Sequence, residues 1–203
     1  MAEQRTQEWL DQRVGKATAS RFGDVMATIK HGEAAAKKNY RAELVIERLT
    51  GEPTETYTSQ AMQWGIDTEP LAKLQYSLES GREVEDCEFV EHEKLAAGAS
   101  PDGKVVGENG GIEVKCPNPA THIETLKSKS IPQQYYWQMM GQMWLTGWDW
   151  IDYVSFDPRF PENAQMCVIR LERDEDAVEK LESAVVDFLH TVDGEVEFVK
   201  DWR

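Results

Sequence analysis

Between Val84 and Lys115 the chain abandons helical spacing for four short runs of strand-like composition, EDCEFVEH, LAAGAS, DGKVV and GIEVK, divided by glycine-bearing turns. Helical spacing flanks this block on both sides, with two further strand-like runs beyond it. Strands enclosed by helices must bury their faces against them, so the pattern predicts an α/β fold with a central mixed β-sheet flanked by α-helices. At 203 residues and 40% hydrophobic content the chain is long enough for one full core and short for two, which predicts a single domain over 1–203. There is no internal repeat and no low-complexity linker.

Local signals divide the helical portions. TQEWLDQRVG and TASRFGDVMAT each open on a threonine that could cap a helix and predict two short helices. A loop over KHGEAAAKK leads into a helix from about Lys38 to Thr50, stopped by Gly51 and Pro53. SQAMQWGIDTEPLAKLQYSLESG has helical composition, but an internal proline costs roughly 3 kcal/mol, so Pro70 predicts a kink or break beside Glu69. PQQYYWQMMGQMWLTG predicts a helix, WIDYVSFD and AQMCVIRLER two strands, and DEDAVEKLESAVVDFLHTVDGE a closing amphipathic helix with acids in its first turn.

Composition narrows the function classes. A net charge of -15 opposes nonspecific binding to polyanions, although a cleft's local field, not the surface sum, governs specific contacts. Cys87, Cys116 and Cys167 are too few and too widely spaced for a disulfide framework or a zinc site, and read as buried free thiols. His31, His92, His122 and His190 share no ligand spacing, and Trp137, Trp144, Trp148 and Trp150 read as core packing. The polar, acidic start MAEQRTQEWLDQR carries no secretion signal and no stretch is apolar enough to span a membrane, so the expected location is cytoplasmic.

The chemistry concentrates in SPDGKVVGENGGIEVK, residues 100–115. If Asp102 opens one strand and Glu113 lies on the next, with Gly103, Gly107, Gly110 and Gly111 allowing the reversal, two carboxylates converge. Hard oxygen ligands of this kind suit magnesium, which keeps several waters and leaves room for a phosphate oxygen. Strand alternation puts Glu113 and Lys115 on one face with Val114 turned to the core. An ammonium beside such an ion can orient water and offset charge during phosphodiester hydrolysis. Taken alone, the same residues also fit charges on a solvated hairpin.

Context separates these readings. Pro101-Asp102 followed by Glu113-Val114-Lys115 resembles the PD-(D/E)xK nuclease superfamily. TQEWLDQRVGKATAS, QWGIDTEP, GASPDG, GIEVKCP, YYWQMMGQMWLTG, YVSFDPRF and VIRLERDE, in that order over nearly the whole chain, resemble its phage lambda exonuclease type, the YqaJ-type viral recombinase family. The resemblance implies a restriction-endonuclease-like core. It implies metal binding by Asp102, Glu113 and the Val114 carbonyl, with Lys115 as catalytic lysine. Glu69, closing Trp64-Gly65-Ile66-Asp67-Thr68-Glu69, reaches the same metal site. Gln138 aligns best with the superfamily's active-site glutamine, with Gln134 and Gln142 one turn away on the same face. Arg13, Thr18, Ser20 and Ser100 align with a pocket for a terminal 5'-phosphate, which a guanidinium and hydroxyls can grip in parallel.

The implied activity is magnesium-dependent 5'-to-3' exonuclease action on double-stranded DNA ends, with manganese as a substitute ion. Mononucleotides are released and a 3' single-stranded tail remains for a single-strand annealing protein. The resemblance further implies a ring-shaped homotrimer, phage or prophage origin and no membrane. The alternatives are an endonuclease with the same metal site and a noncatalytic DNA-end binding protein. A carbohydrate-acting enzyme with paired acids is more distant, because nothing places two acids across an aromatic groove.

Overall fold

The computed structural model describes residues 6–54 and 59–203; the reading of the chain's start rests in part on residues 1–5, which lie outside the described residues. Helix α1 (Gln7–Arg13) starts where Thr6 Oγ1 accepts a hydrogen bond from Trp9 N–H at 3.3 Å. The chain then turns at Gly15, in the left-handed region at φ +68°. Gly15 N–H donates to Glu47 Oε2 at 2.7 Å and its carbonyl accepts from Arg48 Nε at 2.8 Å. Strand β1 (Ala17–Thr18), a 3-10 turn (Ala19–Arg21) and the one-turn helix α2 (Phe22–Val25) follow. Contrary to the predicted cap, the Thr18 side chain makes no capping bond; its backbone N–H donates to Tyr40 Oη at 2.8 Å instead. Helix α3 (Ala35–Thr50) begins three residues before the predicted start, because the alanines of AAAKK extend it, and closes at left-handed Gly51.

Pro70 does not break the next helix. Helix α4 (Gln60–Ser80) is one continuous element, capped by Ser59, whose Oγ accepts from Met62 N–H at 3.2 Å. The proline costs the Ile66 carbonyl its helical partner. Burial of Ala72 and Tyr76 against the sheet, with Thr68 also buried, holds the second half of the helix in line across it.

The predicted strand EDCEFVEH is in fact two, β2 (Val84–Glu85) and β3 (Val90–Glu91), in different sheets. β3 pairs antiparallel with β4 (Ala97–Ala99), which pairs parallel with β1 in a three-stranded sheet. β2 is the edge of a five-stranded sheet that continues through β5 (Gly103–Val105), β6 (Gly110–Lys115), β7 (Trp150–Phe156) and β8 (Met166–Glu172). Its pairings are antiparallel except β6 with β7, which are parallel and joined by helices α5 (Pro119–Ser128) and α6 (Gln133–Thr146). The fold is thus mixed α/β with two mixed sheets rather than the single one predicted. Helix α5 is an addition to the sequence reading; Asn118 Oδ1 caps it, accepting from Thr121 N–H at 3.1 Å, with Pro119 as its first residue.

Period-two alternation along β7 builds the layers. Ile151 and Tyr153 face a large core with Phe22, Tyr40, Met139, Met143 and the apolar stripe of helix α7 (Glu175–Lys200). On the opposite face, Trp150, Val154 and Phe156 meet Ala72 and Tyr76 of α4 and Ile112 and Val114 of β6. The stripe of α7, Val178, Leu181, Val185, Phe188, Leu189, Val192 and Val196, follows helical spacing, each side chain stabilising by about 1.5–3 kcal/mol on full burial. Buried Asp152 locks the layers together: it accepts from Arg170 Nε at 2.8 Å, Arg170 Nη2 at 2.9 Å and Tyr76 Oη at 2.8 Å. Trp148 and Trp150 are buried and Trp137 and Trp144 half-buried, as core packing requires. All three cysteines are free, but half-buried rather than buried. No helix among the described residues is long and apolar enough to cross a membrane.

Candidate active site

The β5–β6 hairpin pairs Gly103 with Ile112 and Lys104 with Gly111. Among its glycines Gly107 alone takes a positive φ, +77°, as the turn requires. Gly110 and Gly111 are there for close packing: a Cβ on either would lie within 2.3 Å of the Trp150 and Trp148 rings respectively. Beyond the Gly103–Ile112 pair the ladder ends, and the Asp102 carboxylate takes over, its Oδ2 accepting from Val114 N–H at 2.7 Å. The N–H and C=O of one strand residue share an edge, so the Val114 carbonyl is on the side of Asp102. Burial, then the charge of Glu113 and, against the pull of Lys115, that of Glu69 push the Asp102 carboxyl up to about 8.

Glu113 and Lys115 share a face, as alternation predicted, and form an ion pair. Burial alone would lower the Lys115 ammonium; the charges of Glu113 and Asp102 overcome it and raise it. Glu113 is fully buried, with Gln138 Nε2 donating to its Oε1 and Gln142 Nε2 to its Oε2, both at 2.6 Å. Two glutamines one turn apart on α6 therefore grip the same carboxylate. Their i, i+4 spacing was the signal for the second.

A cleft of about 840 Å³ opens beside the end of β6, lined by Glu69, Asp102, Val114 and Lys115 and walled by Trp64, Tyr135 and Arg159. Glu69 pairs with Lys73 one turn along α4 at 3.1 Å, and Lys73 reaches Asp86 at 3.0 Å. Glu113 does not line the cleft, lying beneath Lys115 and the glutamines. No three His, Cys, Asp or Glu side chains among the described residues form a ready-made metal cage.

The second constellation joins the N-terminal segment to Ser100. Arg13 Nη1 donates to Ser100 Oγ at 3.1 Å and Nη2 to Ser20 Oγ at 3.5 Å, and the Thr18 and Ser20 hydroxyls are 3.4 Å apart. Trp9, which sequence reasoning did not assign, donates from Nε1 to Ser100 Oγ at 3.0 Å and lies beneath the Arg13 guanidinium at 4.1 Å. Burial lowers the Arg13 pKa, opposed by the charges of Tyr40 and Glu47. All four residues aligned with a phosphate pocket thus meet, and Ser100 stands two residues before Asp102. The Glu47 and Arg48 bonds to the Gly15 turn fix the segment that brings them together.

Solved structures share this arrangement of elements. LHK-Exo in complex with dAMP is 42% identical, with 96% of each chain covered and a TM-score of 0.89. The alkaline exonuclease LHK-Exo from Laribacter hongkongensis gives the same values. A phage-related exonuclease from Haemophilus somnus 129PT is 18% identical over 91% of this chain and 96% of its own, with a TM-score of 0.75, a likeness of fold. Comparison with curated proteins gives no match. Residues 8–149 match the YqaJ-like viral recombinase domain. With the hairpin, the cleft and the paired glutamines in place, the chain belongs to the YqaJ-like viral recombinase family.

Proposed function

We propose that this protein is a magnesium-dependent exonuclease that digests one strand of duplex DNA from its 5' end and leaves a 3' single-stranded tail. The observation that carries the reading is the short link Ser100-Pro101-Asp102, which ties the Arg13 hydroxyl cluster to the carboxylate cleft. An anion-gripping pocket two residues from a candidate metal ligand suits the end of a strand better than its middle. The relative LHK-Exo, described as an alkaline exonuclease and solved also in complex with dAMP, supports a mononucleotide product.

The donor set fits a hard divalent cation. Glu69, Asp102 and the Val114 carbonyl offer oxygen alone at the cleft, and burial together with the charges of Glu113 and Glu69 already raises Asp102. One or two carboxylates with room for water and phosphate is the usual magnesium environment, rather than an all-protein cage. Glu113 accepts three donors on two oxygens and keeps one lone-pair direction. Held at the cleft, magnesium, or manganese in its place, would supply Lewis acidity at the phosphodiester and acidify the attacking water.

The chain's own groups do the rest. Arg13, Thr18, Ser20 and Ser100 seat the terminal 5'-phosphate, which places the next phosphodiester at the cleft. Lys115, steadied by Glu113, donates to the attacking water and offsets charge on the phosphoryl oxygens. Gln138 and Gln142 hold Glu113 in place. Water forms the new P–O bond and gives up a proton to solvent, while the P–O3' bond breaks and O3' takes up a proton from solvent, so the released nucleotide has a 3'-hydroxyl and keeps its 5'-phosphate. The shortened strand carries a fresh 5'-phosphate for the same pocket.

The 3' tail would load a single-strand annealing protein, the proposed partner in recombination. A ring-shaped homotrimer around the duplex would confine DNA to an inner wall despite the net charge of -15. Phage or prophage origin and action in the cytoplasm of a bacterial host complete the proposal. The test is linear against covalently closed circular duplex, each with magnesium or EDTA. Digestion of the linear form alone, and only with magnesium, supports the reading; cleavage of the circle would make the enzyme an endonuclease.

A further inference from the structure

The FDPRF turn after β7 is held with unusual care, and neither the cleft chemistry nor the phosphate pocket accounts for it. Asp157 is fully buried and accepts three bonds from one residue: Arg159 N–H at 3.1 Å and Arg159 Nε at 2.8 Å on Oδ1, and Arg159 Nη2 at 2.7 Å on Oδ2. Gln165 Nε2 pins the same loop from behind, donating to the Pro158 carbonyl at 3.1 Å and the Phe160 carbonyl at 2.9 Å. The Arg159 guanidinium is thereby laid over the Trp64 ring at 4.4 Å, at the wall of the cleft.

Two of its five N–H donors go to Asp157, and the side chain remains 50% exposed. Among the described residues lining the cleft, Lys115 and Arg159 are the cations, and Lys115 is tied to Glu113. A planar fork, preset by a carboxylate on one edge and an indole on one face, is built to meet a phosphate with its remaining edge at little entropic cost. We infer that Arg159 contacts a phosphate of the DNA strand in the cleft, distinct from the terminal phosphate seated by Arg13. This rests on the proposed nuclease activity. A loop staple alone would not require the fork to face the cleft.

The test compares nucleotide release from linear 5'-phosphorylated duplex by wild type, Arg159→Gln and the double variant Asp157→Asn with Arg159→Gln, across a salt series. The double variant removes both charges together, so no buried carboxylate is stranded, and its Tm is read alongside. The expected result for both is a KM raised about tenfold with kcat within about twofold. The slope of log KM against log salt should flatten by roughly 0.7–0.9, the signature of one lost phosphate contact. A structural staple would lower Tm and leave that slope unchanged. If wild type digests DNA while the double variant keeps wild-type KM and slope, the Arg159 contact is wrong and the nuclease reading stands. If wild type releases nothing with magnesium, both fall together.

Discussion

Gln142 donates to Glu113 Oε2 at 2.6 Å, one turn along α6 from the donation by Gln138 to Oε1. The two bonds differ in surroundings: Gln142 is buried and Gln138 half-buried. Replacing Gln142 by leucine strands a buried carboxylate oxygen, a loss of about 1–3 kcal/mol. It also removes the unpartnered Gln142 Oε1, which offsets part of that cost. Gln138→Leu should cost less, because water can replace its donor, yet both should slow nucleotide release. Urea denaturation and single-turnover rates measured side by side check this.

The hairpin glycines divide by mechanism. At Gly111 a Cβ would sit 2.1 Å from the Trp148 ring and 2.6 Å from the Gly103 carbonyl oxygen, and that backbone atom cannot swing aside. Gly111→Ala should destabilise by about 1–3 kcal/mol and also impair turnover, since Glu113 is two residues along the same strand. At Gly107 nothing lies within 4 Å of a Cβ, and the cost is the positive φ of +77°, about 1–2 kcal/mol. Gly107→Ala should therefore lower the urea midpoint and leave turnover near wild type.

Burial pushes the Cys87 thiol up to about 11. Below that pH the thiolate, the reactive form, is scarce. Iodoacetamide labelling of native protein at pH 8 should be far slower at Cys87 than in urea, and should rise as pH approaches 11. Mass spectrometry of the Cys87 peptide reads the rate; equal rates in native and unfolded protein would contradict the burial.

The legible part of the site followed from local geometry. Glu113 and Lys115 share a face because strands alternate, and Val114 turns into the core for the same reason. The meeting of Arg13, Thr18, Ser20 and Ser100 was implied by family resemblance alone, since no spacing rule brings residues 87 positions apart together. Tertiary packing overrode two local signals, the break at Pro70 and the unity of EDCEFVEH. Asn118-Pro119 was a readable helix start, but the polar sequence that follows hid α5. Arg159 appeared in the sequence only as part of YVSFDPRF; its position over Trp64 depends on β7 ending beside α4.

Release of mononucleotides from linear duplex with 5'-phosphate or 5'-hydroxyl ends, in magnesium or EDTA, by wild type and Lys115→Ala, bears most directly on the coupled pocket and cleft. The expected result is rapid release from phosphorylated ends in magnesium, slower release from hydroxyl ends, and none with EDTA or Lys115→Ala. Undiminished release in EDTA would contradict metal-assisted hydrolysis at the Asp102 cleft, and undiminished release by the Lys115→Ala enzyme would contradict the role given to Lys115.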